Sequence, residues 1–400
     1  MTLDHVRTLS GGINQTGVRV YNERLILSIL QRNGGLPGSD LARRTGLSPQ
    51  TASVILRKLE QDGLLLKGDP VKGKVGKPSV PYALNPDGVL SIGLKIGRRS
   101  ADLLVLDAMG QVRHQLRHTY DYPLPHDVFS FLRDGFAQLM NDMDDAMRTR
   151  LCGVGIAAPR EMWNWHELLD APAKDFAAWK DADFVAEVAR ITDLPVRMVN
   201  DATAACRAEH VFGIGREYRD YVYFFLGAFV GGGVVLDHAV FEGSQKNAGA
   251  FGTIPVADLK GRPRHLIDLA SIRTLELLLI EAGENPRQLW RQPQDWSHLE
   301  RFVVPWLEQT ADALAIACVA SCAVIDVEAV VIDGAMPPII RSRLVEGTRK
   351  ALDTKDMRGL LRPVTVEGQI GGNARGIGAA AGPIIGQFLL DRSAAIFEQA

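Results

Sequence analysis

Four hundred residues, 46% hydrophobic and 23% charged and without any biased tract, exceed one ordinary core and point to two or three globular domains. No apolar run nears the roughly 18 residues of a membrane span, and the opening MTLDHVRTLSGG lacks the apolar core of an export signal, so a cytoplasmic chain with no membrane partner is expected. The net charge of −2 hides a split: residues 1–90 hold 12 Lys/Arg against 7 Asp/Glu (+5), and the remainder holds 33 against 40 (−7). A basic amino-terminal region on an acidic body suits contact with a phosphate backbone.

In chain order, residues 1–17 show no periodicity and read as a flexible tail. Val20, Leu25, Ile26, Ile29 and Leu30 then mark an amphipathic helix from Val18 to about Asn33, stopped by Gly34, Gly35 and Pro37. Two short helices follow in Ser39–Leu66. Ser39 is placed as the first N-cap, Gly46 supplies the left-handed residue of the turn, Leu47 fills the corner, and Ser48 caps the second helix. Ala52, Ile55, Leu56 and Leu59 face inward, which leaves Gln50, Thr51, Ser53, Arg57 and Lys58 outside.

That pattern fits a helix-turn-helix with its second helix in a DNA major groove, and it also fits a plain αα-hairpin with a solvated face. Strands at Leu64–Lys67 and Pro81–Leu84 flank DPVKGKVGKPSV, where Lys72, Lys74 and Lys77 alternate with small residues. Helix, helix-turn-helix and basic hairpin in that order make a winged helix over 18–88. The candidate DNA-contacting residues are Ser48, Gln50, Thr51, Ser53, Arg57, Lys58, Lys74 and Lys77.

From residue 89 the pattern becomes α/β. Strands Val89–Ile96, Ala101–Asp107 and Gln111–Thr119 precede a helix over Val128–Met147, strand Gly153–Ala157, helix Asp183–Thr192 and strand Val196–Val199. A similar order returns: strands Tyr221–Gly227, Gly232–Leu236 and His238–Phe241, helices Leu269–Ala282 and Val303–Ala323, strand Val330–Asp333, helix Ile339–Asp353, strand Val364–Glu367 and helix Asn373–Leu390. Two lobes of one βββαβα order predict an actin-like (ribonuclease H-like) duplication over 89–400, with a ligand cleft between lobes of roughly 89–200 plus the last helix, and 201–372. Cys152, Cys206, Cys318 and Cys322 are too few for a disulfide framework, and Cys318 and Cys322 read as small core residues.

Several segments carry a resemblance to a known family. NERLILSIL ahead of the helix-turn-helix, GKVGKP in the wing, VNDATAACRAEHVFGIG at 199–215, GGGVVLDHAVFEG at 231–243, VVIDGA at 330–335 and GNARGIGAAAG at 372–382 resemble the ROK family (repressors, open reading frames, kinases) in its winged-helix regulator branch. The resemblance implies either an ATP-dependent sugar kinase or a transcription factor answering a sugar or a protein partner, and the site must decide.

Against the kinase, the family's D-x-G-G-T phosphate loop is matched by Lys95, Gly97, Arg98 and Arg99, and G-T-G-x-G-G-G by GAFVGGG at 227–233. Lysine cannot ligate Mg²⁺, Ala228 lacks the hydroxyl, and Phe229 stands where backbone must approach phosphate, so no catalysis is expected. Arg98 and Arg99 are read as ion-pairing residues, with an anionic effector as the other use. Asn200 and Asp201 match the pair that holds sugar hydroxyls, and an Asx cap on the following helix is the alternative. Glu209 is assigned a structural hydrogen bond.

The family's G-E-x-G-H is here Gly249, Ala250, Phe251, Gly252 and Thr253. Its zinc cysteines have given way to DLKGRPRHLID at 258–268, with Lys260 and His265 in their places, so neither metal nor other cofactor is expected. Trp163 and Trp165 lie near the cleft by family order and are read as packing under a long connection, with stacking on a sugar ring or cover of an apolar effector as the alternative; Trp179 is assigned to packing. The sequence thus reads as a DNA-binding regulator, most simply a repressor of carbohydrate-related genes. Its expected partners are an operator duplex, a sugar or sugar derivative, and a second copy in a homodimer or dimer of dimers. A ROK-like body that only dimerises or binds a protein is the alternative.

Overall fold

The computed structural model describes residues 15–70, 79–159, 162–165 and 173–390. These fall into two compact units, residues up to Gly88 together with Ile385–Leu390, and Val89–Ile384.

In the first unit, α1 (Gln15–Asn33) buries Ile26, Leu27 and Leu30 against α2 (Gly38–Thr45) and α3 (Pro49–Gln61). Gly46 turns α2 into α3 with φ +69°, a conformation that costs glycine nothing. The Ser48 hydroxyl caps α3 by accepting the Thr51 N–H at 3.1 Å. Ser39 is not a cap: α2 already begins at Gly38, and Pro37, which has no side-chain acceptor, stands at that position.

A strand absent from the sequence reading, β1 (Leu36–Pro37), pairs with β3 (Pro81–Leu84), whose other neighbour is β2 (Leu65–Lys67). The resulting three-stranded sheet closes the winged helix. Gln387 and Leu390 also belong here: the Leu390 N–H donates to Ser28 Oγ at 2.8 Å, and Arg24 Nε to the Gln387 carbonyl at 3.0 Å.

The second unit holds two sheets of one design. In the first lobe β4 (Leu90–Ile96), β5 (Ser100–Asp107), β6 (Val112–Thr119), β7 (Leu151–Ala158) and β8 (Val196–Asn200) lie in the order β6-β5-β4-β7-β8. In the second, β9 (Tyr221–Leu226), β10 (Val230–Leu236), β11 (Ala239–Phe241), β14 (Ala329–Gly334) and β15 (Val364–Glu367) lie in the order β11-β10-β9-β14-β15. The missing numbers, β12 (Pro255–Ala257) and β13 (Pro263–His265), form a separate hairpin.

The first three strands of each sheet are antiparallel and the last two join in parallel. Central strands β4 and β9 are buried along their whole length, as a sheet covered on both faces requires.

Helix α4 (Pro125–Asp142) covers the first sheet through Val128, Leu132 and Leu139. The single helix expected to run to Met147 breaks at Met143. Asp144 takes an extended conformation and its carboxylate accepts the Met147 N–H at 2.8 Å, starting a new short helix at Asp145.

Equivalent helices follow the fifth strand of each sheet. They are α5 (Asp201–Phe212) after β8 and, at the chain's end, a helix over Ala374–Phe388 after β15. Ala204, Ala157 and Ala379 pack together where these helices meet, and a methyl on Gly378 would lie 1.7 Å from the Ala204 carbonyl oxygen. Between them in sequence come α6 (Ile272–Glu281), α7 (Glu300–Val324) and α8 (Pro338–Asp353), and the helix over Ala374–Phe388 is accordingly α9. By length and composition α7 could cross a bilayer; here it is a core helix packed on α6 and α8 with Trp306, Leu314 and Cys318 buried.

Candidate functional site

On α3 the expected inward stripe is buried, and Gln50, Thr51, Ser53, Arg57 and Lys58 are exposed. Two of the candidates have local duties: Ser48 serves as the cap, and Lys58 forms an ion pair with Asp62 one turn on. Between Ser53 and Arg57 the sequence reading passed over Val54, which is 53% exposed. A bare isopropyl group in that position offers the apolar contact that a thymine methyl accepts. The only signal in the sequence was a β-branched residue off the inward stripe. Lys72, Lys74 and Lys77 of the wing lie outside the described residues, as does most of the 1–17 tail.

The two loops that in a kinase would hold phosphate are both hairpin turns, one between β4 and β5 and the other between β9 and β10. Lys95, the last residue but one of β4, is a buried side chain that donates to Ser100 O (3.0 Å), Ser100 Oγ (2.8 Å) and Asp102 Oδ2 (2.9 Å). Burial lowers Lys95 to about 8 against the pull of Asp102. Burial alone would raise Asp102, but Lys95 and Arg117 hold it well below the usual carboxylate range. A Mg²⁺ ligand is thus replaced by a buried ion pair.

Arg98 crosses to the second lobe, where its Nη1 lies 2.6 Å from Glu276 Oε2 on α6. Arg99, Arg273 and the Trp290 indole N–H reach the same carboxylate; burial alone would raise it, but Arg98, Arg99 and the Trp290 hydrogen bond hold it below the ordinary glutamate value. The Arg98 guanidinium also lies over the Phe229 ring, 5.8 Å from its centre. The two turns that match the family's phosphate loops are therefore in contact with each other. Glu276 was overlooked in the sequence, where it showed only as one acid in the apolar run TLELLLI.

The sugar-motif residues line a cavity of about 270 Å³ with Phe229, Gly249, Thr253 and Arg375. Asn200 is an Asx cap: its Oδ1 accepts the Ala202 N–H at 3.0 Å and the Thr203 N–H at 3.4 Å. Asp201, the first residue of α5, pairs with Arg375 Nη1 at 3.2 Å, and that guanidinium covers the Phe225 ring. Glu209 is buried and accepts N–H groups from Ile214, Gln369 and Ile370, the structural role expected of it. Burial and the nearby Asp333 push it up to about 7 against those donors.

Where the family has zinc, the β12–β13 hairpin is held by Asp258, which accepts the Lys260 and Arg262 N–H groups and pairs with the Arg262 side chain. His265 turns its Nδ1 to the Thr253 carbonyl at 3.0 Å, and no cluster of three potential ligands occurs among the described residues. Trp163 packs on the first-lobe core, and Trp179 is buried with its N–H on the Pro123 carbonyl.

Comparison with known proteins agrees with this architecture. The ROK family profile matches residues 91–381, and the winged helix-turn-helix DNA-binding profile matches residues 21–65. The xylose repressor of Bacillus spizizenii is 22% identical over 61% of this chain, and the chain spans 62% of that relative's length. A crystal structure of a ROK family transcriptional regulator, homolog of the E. coli MLC protein, superposes with TM-score 0.62 at 20% identity, covering 91% of this chain and 95% of the other.

A ROK family glucokinase from Streptomyces griseus, in complex with glucose and AMPPNP, superposes with TM-score 0.55 at 21% identity over 73% of this chain and 98% of its own. Regulators and kinases thus share the fold of the ROK domain. The chain belongs to the ROK family and is one of its transcription regulators, a ROK domain joined to a winged helix-turn-helix.

Proposed function

We propose that this protein is a transcription repressor of carbohydrate-related genes whose ROK domain has lost kinase activity and senses a small molecule. The observation that carries the DNA half is α3, with a buried apolar stripe beneath an outer face of Gln50, Thr51, Ser53, Val54 and Arg57. In this reading those side chains meet base edges and phosphates, the wing's Lys74 and Lys77 meet the backbone, and a homodimer grips two half-sites in the cytoplasm. The loss of catalysis is supported by Lys95 and Phe229, which leave neither a Mg²⁺ ligand nor a backbone cradle at the two turns.

Effector binding beside Asn200 and Asp201 would alter lobe closure and through it the DNA-binding heads. A second reading, in which the ROK domain only dimerises or binds a protein, is favoured by one observation: Asn200 Oδ1 and Asp201 are both engaged by the protein itself. A gel shift on the gene's own upstream DNA tests the proposal. Arg57→Ala is expected to weaken binding at least tenfold, equivalent to about 1.4 kcal/mol, and to flatten its salt dependence. Unchanged affinity and salt slope would overturn the DNA assignment, and turnover of Mg-ATP with a sugar would overturn the non-catalytic one.

A further inference from the structure

Beside the sugar-motif cavity lies a larger one, of about 630 Å³, in the range that holds a small metabolite. Its charged lining is of one sign: Lys95, Arg98, Arg99, Arg117, Arg341 and Arg375, with no aspartate or glutamate. This concentration occurs in a region of the chain whose net charge is −7. Each cation is tied to a carboxylate, but the five involved (Asp102, Asp201, Glu276, Asp333 and Glu367) are absent from the lining. Six cations against five acids leave an excess of positive charge, and the cations are nearer the space.

Two further features point to an acceptor. Arg98 and Arg375 line both cavities, and the Nε of each is buried without a hydrogen-bond partner among the described residues. A buried guanidinium N–H left unpaired is costly, so a shift that brings it to an acceptor in either cavity gains a strong hydrogen bond. The neutral polar lining includes Gln115, Thr119, Gln292, Gln294 and Asn373, side chains that both donate to and accept from hydroxyls. Arg98 and Phe229 occupy the turns that would cradle a polyphosphate tail, which disfavours a nucleoside triphosphate.

We propose that this basic cavity is an effector site for a compact polyhydroxylated anion, a sugar acid or sugar phosphate. The inference rests on the regulator reading above and names the chemical class of its effector. Arg98 and Arg375, shared by the two cavities, would let the anionic group sit in the larger one while the polyol reaches toward Asn200.

Calorimetric titration of the full chain tests it, with glucuronate, glucose 6-phosphate, glucose and inorganic phosphate as the probes. At least one anionic sugar should bind, with glucose and phosphate at least tenfold weaker, and the better of the two anions identifies carboxylate or phosphate as the recognised group. Thr119→Glu adds a negative charge at an exposed lining position without removing any ion pair, and Arg117→Gln removes a half-exposed cation. Each should weaken the anion at least tenfold, and Thr119→Glu should leave the melting temperature unchanged.

No binding by either anion, equal binding of glucose or phosphate, or binding indifferent to Thr119→Glu would overturn the inference. A gel shift with unliganded protein separates the two failures. DNA binding without anion binding removes only the effector site, whereas absent DNA binding removes the regulator reading itself.

Discussion

The turn between β4 and β5 and the turn between β9 and β10 occupy the same place in two sheets of identical strand order. The first has become cationic (Arg98, Arg99) and the second apolar (Ala228, Phe229). In a phosphoryl-transfer enzyme both would keep backbone amides open to phosphate. Here the paired changes make the turns partners of one another: Arg98 lies over Phe229 and runs on to Glu276. The two turns thus meet each other across the cleft, and the lobes are joined by charge at the turns and by small residues at the α5–α9 crossing.

The comparison can be broken most forcefully at its acceptor. Glu276→Ala strands three guanidinium groups around a buried gap, and about 3–5 kcal/mol of stability should be lost in urea denaturation. A loss below 1 kcal/mol would show that the charged turn does not join the lobes.

Gly378→Ala probes the other join. Its methyl would lie 1.7 Å from a backbone oxygen of α5, so the helices must separate at a cost of about 1–3 kcal/mol. Differential scanning calorimetry should show a lowered melting temperature, and an unchanged one would mean that the crossing is loosely packed.

Phe229→Ala is the mildest of the three. It removes one half-buried ring and its cation–π contact, worth about 1 kcal/mol, and should not create ATP-dependent phosphorylation of glucose because Lys95 stays in place. Phosphorylation by this variant would show that the apolar turn alone suppresses catalysis.

Much of this was readable in advance, for reasons that differ by region. The recognition helix declared itself because a 3.6-residue stripe, a left-handed glycine and a serine cap are local signals. Ser39 failed as a cap because the helix started one residue earlier, behind Pro37. The helix expected through Met147 failed because Asp144 offered its own backbone a competing hydrogen bond. β1 escaped notice because a two-residue strand has no period and exists only by pairing with β3.

At the cleft, the identities of Lys95, Arg98 and Phe229 already argued against phosphate binding. Their partners could not be read. Glu276 is 178 residues from Arg98, and Arg375 is 174 from Asp201.

The sequence by itself determined the winged helix, the repeated α/β order and the altered phosphate loops, because hydrophobic period, turn residues and side-chain chemistry act over short stretches of chain. Tertiary structure alone decided where the charges end: which carboxylate takes three arginines, which guanidinium pairs with the sugar-motif aspartate, and which cations line the larger cavity. Electrostatic partnership depends on distance in space, and the fold brings these groups together from opposite ends of the domain.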